Sequence, residues 1–358
     1  MSFRTPLFRV EINGVDVTSR LSPLVTDIEV TKNSKRSAHT AEIKLADPDG
    51  STLLPADGAK MKIWLGVEGE GVGEVFEGTV NDVNWSIARG GGRTLKIGAT
   101  SADQKSKVKQ PALRHKDKGT FKDTATEWGK KAGLTVQVIG DIGSVERDYW
   151  LQQHESFQAW GQRMGEELGA SFQIMGDRAI FSPRNESMSA SGQPLTPINA
   201  AWGDNLLSAD ISPVIGRPQY ESVVTRYYDR EEAKWKDEKV DVRSATATVK
   251  LTDQTSAAGK SHAGSKSKSG SKKSEREKGS GSVTIVGNYA AEPEAPLFAS
   301  GLRDGIDGEY IIDSVTHTLT KKNGFETKIT IKKPTGTAGK DSRASKTAST
   351  ATGGAAAP

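Results

Sequence analysis

One group of carboxylates has the residue type and spacing that hydrolytic chemistry could use. Glu155, Glu166 and Glu167 lie on or beside one predicted helix. A glycoside hydrolase needs two carboxyl groups across a cleft, one of them with a raised pKa. The opposite face of this helix carries Trp160 and Met164, so the three glutamates fit the solvated face of an amphipathic helix. A peptidoglycan hydrolase stays as an alternative, and substitution of Glu166 or Glu167 tests it.

The remaining candidate ligands do not have the spacing of a metal or nucleophile site. Asp304, Asp307 and Glu309 lack the Asp-x-Asp-x-Asp-Gly pattern of a calcium loop and are interpreted as turn residues. The chain has no cysteine, no Gly-x-Ser-x-Gly and no phosphate-binding Gly-x-x-x-x-Gly-Lys motif. We therefore predict no catalytic residue, no cofactor and no metal ion. Five scattered histidines also lack zinc spacing, and His317 is interpreted as a sheet histidine: His39, His115, His154, His262 and His317.

Net charge does not indicate a nucleic-acid-binding face. The Ser/Gly/Lys tract 255–282 holds seven Lys or Arg against two Glu, so it accounts for the net charge of +4 and leaves the remainder close to neutral. The tract has no aromatic residue for base stacking, and we interpret it as a flexible linker or surface excursion. No apolar run approaches about 18 residues, and we expect neither a membrane span nor a signal peptide.

Residues 1–102 show short alternating strands separated by turns, which indicates a small β-barrel or sandwich. Residues 103–195 form a predicted α+β module. Thr120 is placed to cap its first helix, which Gly133 ends, and a second helix runs from Ser156 to Leu168. The buried face of that second helix should consist of Phe157, Trp160, Met164 and Leu168.

Strands return in 196–334, apart from the insertion at 255–282, and 335–358 is predicted to be a flexible tail. The segment from Gly301 to Ile331 has the pattern of a hairpin that joins a larger sheet. Its part from Ile312 to Ile331 aligns with Val80 to Ile97, although any two amphipathic hairpins can be overlaid in this way. If the duplication is real, each chain has two related β domains and a ring of three chains presents six. Eight residues of these two segments are candidate interface residues: Val80, Val83, Trp85, Tyr310, Ile312, Val315, His317 and Phe325.

Several segments resemble the phage late control protein D family, the baseplate hub of contractile-tailed, Mu-like phages. Residues 308–327 (GEYIIDSVTHTLTKKNGFET) are similar to its closing segment. HESF at 154–157, EELGA at 166–170 and IFSP at 180–183 are similar to its central domain, and the opening NGVDVT at 13–18 also fits. The resemblance covers most of 1–335, in the expected order. The chain departs from the pattern at 255–282, where the family would have ordered strand sequence.

The resemblance implies a β-rich α+β fold, with two related tail-tube-like β-barrel domains flanking a central α+β domain. It also implies a homotrimeric, pseudo-sixfold adaptor between the hexameric tail tube protein and the trimeric central spike protein. Further implied neighbours are baseplate wedge and tape-measure proteins, and genomic DNA that passes without sequence recognition. The protein would be a virion component assembled in the bacterial cytoplasm, without membrane insertion. An equivalent hub of a phage-tail-like bacteriocin or a contractile secretion system stays as an alternative.

Overall fold

The computed structural model describes residues 5–35, 38–103, 107–189, 191–214, 220–242 and 247–340. Tail residues 341–358 lie outside this range, so the flexible-tail prediction is not addressed for them. None of the helices among the described residues is long and apolar enough to cross a membrane.

The N-terminal β unit has the predicted succession of short strands, and they form an antiparallel array. Asn13 and Gly14 both adopt positive φ angles, 51° and 77°, and this turn places Ile12 opposite Val15. The elements of this unit are β1 (Pro6–Ile12), β2 (Val15–Asp16), α1 (Thr18–Leu21), β3 (Val25–Asn33), β4 (Thr40–Ala46), β5 (Lys60–Val67), β6 (Gly71–Ala88) and β7 (Gly92–Thr100).

The α+β unit confirms the predicted helix boundaries. Thr120 accepts a hydrogen bond from the Asp123 amide, Ser156 accepts one from the Ala159 amide, and Gly169 ends its helix with a φ of 67°. Two short 3₁₀ turns lie at Lys107–Lys109 and Gly140–Ser144. The other elements are β8 (Ala112–Asp117), α2 (Phe121–Lys131), β9 (Thr135–Val138), β10 (Tyr149–Glu155), α3 (Phe157–Leu168), β11 (Ala170–Met175) and β12 (Arg178–Pro183).

An aromatic core holds the α+β unit together. The predicted apolar face of α3 is buried, and Trp160 is completely inaccessible. Phe121 of α2 meets Phe181 of β12 edge to face, with 4.9 Å between ring centroids. These contacts make the module a separate hydrophobic cluster, distinct from the cores of the β units.

The C-terminal β unit includes the predicted hairpin, which turns between Thr320 and Gly324. An inserted three-stranded sheet and a helix interrupt the unit between its second and third strands. In chain order the elements are β13 (Ile198–Ala201), β14 (Leu206–Ser212), the inserted β15 (Ser222–Asp229), β16 (Lys234–Asp241), β17 (Lys250–Thr252) and α4 (Lys260–Arg276), then β18 (Ser280–Val286), β19 (Pro296–Ser300), β20 (Gly308–Thr320) and β21 (Gly324–Thr335).

The two β units share one sheet. Its 13 strands follow the order β14-β18-β21-β20-β3-β4-β7-β6-β5-β1-β2, with β19 paired to β20 and β13 paired to β19. The join is the antiparallel pair of β20 and β3. Among the described strands no pairing closes either unit on itself, so within one chain both units are open.

The prediction that 255–282 is flexible was wrong. Most of the tract forms α4, whose side toward β15 and β16 consists of the small residues Ala263, Ser267 and Ser271. Ser267 Oγ lies 2.9 Å from Thr225 Oγ1 and 3.0 Å from the Glu238 carbonyl oxygen. Hydroxyl groups at a four-residue spacing replace the usual apolar stripe and bond to the strands beneath.

The start of the predicted tail also packs against the fold. β21 continues to Thr335, and Ala338 is buried in the core of the C-terminal β unit. The Thr337 hydroxyl donates a 2.7 Å hydrogen bond to the Asp307 carbonyl oxygen. Residues 335–340 are therefore an ordered extension of β21.

Candidate assembly interface

The β20–β3 junction is a continuous ladder between the two β units. It runs from Ser314 opposite Asn33 to Thr320 opposite Asp27. The hydroxyl oxygens of Thr31 and Thr316 lie 3.2 Å apart across it. Leu319 and Phe325 of the C-terminal unit pack into the core of the N-terminal unit. The junction thus combines backbone pairing with the burial of apolar side chains.

The hairpins β6–β7 and β20–β21 have the same register. Val83 pairs with Ile97, and 232 positions later Val315 pairs with Ile329. The turns correspond as well, because Ala88 pairs with Gly92 in one hairpin and Thr320 with Gly324 in the other. The overlay drawn from the sequence is therefore confirmed by the strand pairing.

A β-bulge falls at the same place in both hairpins. The register shifts between Val80 and Asp82 in β6, and between Ile312 and Ser314 in β20. A bulge inserts one unpaired residue and is a specific feature of a strand pair. Chance alignment of two amphipathic hairpins does not account for a shared bulge.

The correspondence extends to two more strands. In the N-terminal unit β4 pairs with β7, from Thr40 opposite Thr100 to Ala46 opposite Thr94. In the C-terminal unit β18 pairs in the same way with β21, from Ser280 opposite Lys332 to Val286 opposite Glu326, so β18 corresponds to β4. β14 corresponds to β3, because β3 pairs with β4 and β14 pairs with β18, the counterpart of β4. Both strands also shift register near their first residue. The order β3-β4-β7-β6-β5-β1 thus repeats as β14-β18-β21-β20-β19-β13. One difference is that β13 and β19 run parallel whereas β1 and β5 run antiparallel.

Equivalent positions differ sharply in exposure. His317 is fully buried and Leu319 is 6% exposed, whereas their counterparts Trp85 and Ile87 are 45% and 61% exposed. The same holds for β14, in which Ile211 is half-buried although its counterpart Val30 is inaccessible. The N-terminal unit covers the first set. Trp85 donates a 3.3 Å hydrogen bond from its Nε1 to the Asp47 carboxylate, but no described strand pairs with the outer edges of β6 and β14 at these positions.

His317 is confirmed as a buried sheet histidine. Its Nδ1 lies 3.2 Å from the Thr327 hydroxyl oxygen. Burial, with a contribution from the nearby Lys32 ammonium, holds the pKa of His317 well below its ordinary value, so the ring is neutral. A neutral imidazole is compatible with complete burial at the junction between the units.

The eight residues predicted as interface fall into two groups. Trp85 is exposed and Val83 is partly buried at the rim of the N-terminal core. Six are buried within the chain itself, in the core of one β unit or at the β20–β3 junction, so their part in a contact between subunits stays a prediction: Val80, Tyr310, Ile312, Val315, His317 and Phe325.

A buried charge cluster, which no sequence pattern indicated, links the β15–α4 insertion to the β20–β3 junction. Arg276 at the end of α4 lies 2.8 Å from a carboxylate oxygen of Glu294 and 2.8 Å from one of Asp313. Asp313 is the bulge residue of β20, and the same guanidinium reaches the Ser34 hydroxyl at 3.2 Å. Burial raises the pKa of Asp313, but the charges of Arg276 and Lys35 and the hydrogen bond from Arg276 act together to lower it.

The acidic residues beside α3 form ion pairs on a face that is still partly exposed, as the interpretation of a solvated helix face expects for Glu166. Glu155 pairs with Arg163, and Glu166 lies 2.8 Å from Arg184. Glu167 lies 2.9 Å from Arg147 Nη1 and 3.1 Å from His262 Nε2. Burial raises the pKa of Glu167, but the hydrogen bond with His262 and the charge of Arg147 prevail and lower it to about 2.

The carboxylate group near the start of β20, considered in the sequence as a candidate calcium site, contributes to a turn. The Asp307 carboxylate accepts hydrogen bonds from the amides of Leu302 and Arg303, at 2.9 and 3.3 Å, which confirms it as a turn residue. Within the part of the chain that the structure describes, no three His, Asp or Glu side chains come together as a metal site.

The fold, with two equivalent β units in one sheet and an α+β module between them, is similar to that of several tail proteins of known structure. A 43 kDa tail protein from prophage MuSo2 of Shewanella oneidensis has a TM-score of 0.66 and 14% identity, over 91% of this chain and 98% of that one. A tail protein from Neisseria meningitidis has a TM-score of 0.66 and 12% identity, over 92% and 96%. A type VI secretion component from Escherichia coli, described as similar to bacteriophage T4 tail proteins, has a TM-score of 0.55 and 10% identity, over 93% and 78%.

Sequence relatives narrow the class. The chain is 23% identical over 361 residues to the probable baseplate hub protein of Escherichia phage 186, covering 90% of this chain and 91% of that protein. It is 24% identical over 205 residues to the probable baseplate hub protein of Escherichia phage P2, covering 56% and 51%. No family model matches the chain. The chain is thus a homologue of phage baseplate hub proteins.

Proposed function

We propose that this chain is the structural baseplate hub of a phage contractile tail. Three copies form a ring in which six equivalent β units imitate a hexagon. One face of the ring then fits the sixfold tail tube protein and the other fits the threefold central spike protein. The observation that carries this proposal is the repeated strand order, with shared registers and bulges, in the two β units.

The role is an adaptor and not an enzyme. The pKa of Glu167 is lowered, whereas a hydrolytic general acid needs a raised one. A zymogram on peptidoglycan separates the two functions, since a hub leaves no clearing and a tail-associated hydrolase leaves a cleared band. In this role the hub also contacts baseplate wedge and tape-measure proteins. It assembles in the host cytoplasm and is part of the virion tail.

Genomic DNA would pass through the ring without sequence recognition. The excess positive charge of the chain lies in the 255–282 tract, where Lys266 pairs with Asp253 at 2.9 Å and Lys272 with Glu186 at 2.7 Å. These lysines serve the fold, and the remainder is close to neutral. A chain whose net charge outside this tract is close to zero has little general attraction for the DNA backbone, which suits a channel that must release DNA.

The same ring would serve a phage-tail-like bacteriocin or a contractile secretion system. The fold similarity to the type VI secretion component supports keeping this alternative. Capsid and terminase genes beside the coding sequence favour a phage, and their absence favours the other machines.

Light scattering of the purified chain tests the proposal, with and without the trimeric spike protein present. A mass three times the 38.3 kDa of one chain is expected. A strictly monomeric or dimeric mass in the presence of the spike contradicts it.

A further inference from the structure

We propose that the outer edge of β6 in one copy pairs antiparallel with the outer edge of β14 in the next copy. The pairing repeats the β20–β3 junction between chains. This inference rests on the proposed ring, and it adds the two strands and the register that hold the ring together.

Both edges are open within one chain. β5 pairs with β6 only from Gly71 to Thr79, and the part Asp82–Ala88 has β7 as its one strand partner among the described residues. β14 likewise pairs only with β18 in the described part of the chain. A strand edge with free amide and carbonyl groups is a template for another strand.

The repeat within the chain says which strand fits each edge. Asp82–Ala88 is the counterpart of Ser314–Thr320, the part of β20 that pairs with β3. β14 is the counterpart of β3, since Ser212 pairs with Ser280 as Thr31 pairs with Thr40. A second copy therefore offers to β6 the same kind of strand that β20 receives within its own chain.

The register follows from the same correspondence. His317 pairs with Val30 in the junction, so Trp85 is placed opposite Ile211 of the next copy. Thr318 pairs with Glu29, so Ser86 is placed opposite Asp210. Beyond Ser212 the chain continues with Pro213, which has no amide hydrogen and limits the ladder. The inferred pairs are Asn84 with Ser212, Trp85 with Ile211, Ser86 with Asp210, Ile87 with Ala209, and Ala88 with Ser208.

This pairing buries the side chains that one chain leaves uncovered. Trp85 and Ile87 lie on one face of β6 because they alternate, and Ile211 and Ala209 lie on the matching face of β14. Their counterparts in the junction are buried, as Val30 and His317 are completely inaccessible. The contact joins two different edges, so it is heterologous and forms a ring when its rotation closes.

Disulfide trapping tests the inference, because the chain has no cysteine of its own. Residues opposite each other in an antiparallel pair have Cα atoms about 4.5–5.5 Å apart, within the range of a disulfide. Ser86→Cys and Asp210→Cys are made separately in the full chain, co-expressed, oxidised and separated on a non-reducing gel. Both side chains are exposed in the single chain, so neither substitution disturbs its core.

The expected result is a covalent dimer in the co-expressed sample and in neither single variant alone. The double variant S86C/D210C should give a covalent trimer. A register control pairs Ser86→Cys with Ser212→Cys, whose Cα atoms would be about 7–8 Å apart or more, and should give far less product. A positive control pairs Glu29→Cys with Thr318→Cys in one chain and should close within the monomer.

The possible outcomes separate this inference from the ring itself. A trimeric mass without the Ser86–Asp210 cross-link, or with a stronger product from the register control, overturns the strand pairing and leaves the proposed hub in place. A monomeric or dimeric mass with no cross-link overturns both.

Discussion

Trp85 and His317 occupy the same position in two hairpins of identical register, yet His317 is inaccessible and Trp85 is 45% exposed. The difference lies in what covers each strand. β3 pairs with β20 inside the chain, and no described strand pairs with the outer edge of β6 beyond Thr79. The free edge of β6 is therefore available to a strand of another copy.

Ile87→Lys should dissociate the ring without unfolding the chain. The side chain is 61% exposed in the single chain, so the free energy of unfolding should change by less than about 0.5 kcal/mol. In the ring, the ammonium would be buried against the neighbouring β14, which is strongly unfavourable. Light scattering should show a shift from trimer to monomer. Leu113→Lys, at a 62% exposed position on β8, is the matched control and should stay trimeric.

Arg276→Met should destabilise the chain strongly. The substitution leaves Glu294 and Asp313 buried without their cation, and breaking a buried ion pair in this way costs about 3–5 kcal/mol. Urea unfolding at pH 7 measures the loss. Lys272→Met removes a more exposed pair with Glu186 and should change stability by no more than about 1 kcal/mol. Equal effects of the two substitutions would contradict a structural role for the buried cluster.

The difference in free energy of unfolding between wild type and R276M should depend on pH. The pKa of Asp313 is lowered in the folded wild type, so its contribution is complete above the ordinary carboxyl value of about 3.9 and is lost as the pH falls through the folded value. The gap between the two unfolding free energies should therefore narrow in acid. A gap that widens below about pH 4 would refute this explanation.

Glu167→Gln should lower stability at neutral pH and leave the absence of peptidoglycan clearing unchanged. The pKa of Glu167 is lowered to about 2, so the ionised side chain stabilises the fold above its ordinary value, and this contribution is lost as the pH falls toward 2. Urea titrations at pH 7 and pH 3.5 should show a smaller difference from wild type at the lower pH. Clearing by wild type that is lost in the variant would instead support the hydrolase.

Ser267→Val should loosen α4 from the inserted sheet. Ser267 is inaccessible, and a larger apolar side chain there overpacks the contact and removes hydrogen bonds, at a cost of about 1–3 kcal/mol. Trypsin should cleave the lysine-rich tract slowly in wild type and faster in the variant. Lys268→Val is the control, because Lys268 is exposed on the same helix. Rapid cleavage of wild type within this tract would support a flexible linker instead.

Local patterns predicted the elements whose signals are local. The Asn13-Gly14 turn, the Ser156 cap and the Gly169 end each depend on residues within a few positions, and all three were correct. The similarity of the two hairpins was also predictable from the sequence, because both preserve the strand length, the turn position and the alternation of apolar residues.

Two features could not be predicted because their partners are distant in sequence or unusual in type. Arg276 binds Asp313, which lies 37 positions further along the chain. Asp313 is placed for this contact by a bulge in β20, and the bulge forms only in the folded sheet. α4 packs through Ser267 and Ser271 and not through an apolar stripe, and Gly270 comes so close that an added Cβ would lie 2.9 Å from Val223. A hydrophobicity pattern therefore indicates a linker where the structure has a helix.

A top view of the purified particle by negative-stain electron microscopy tests the central claim most directly. A trimeric hub should give two-dimensional classes of a closed ring with six similar lobes, in which true symmetry is threefold because alternate lobes carry the β15–α4 insertion. Classes without a ring, or rings with a number of lobes other than six, in the presence of the spike protein would contradict it.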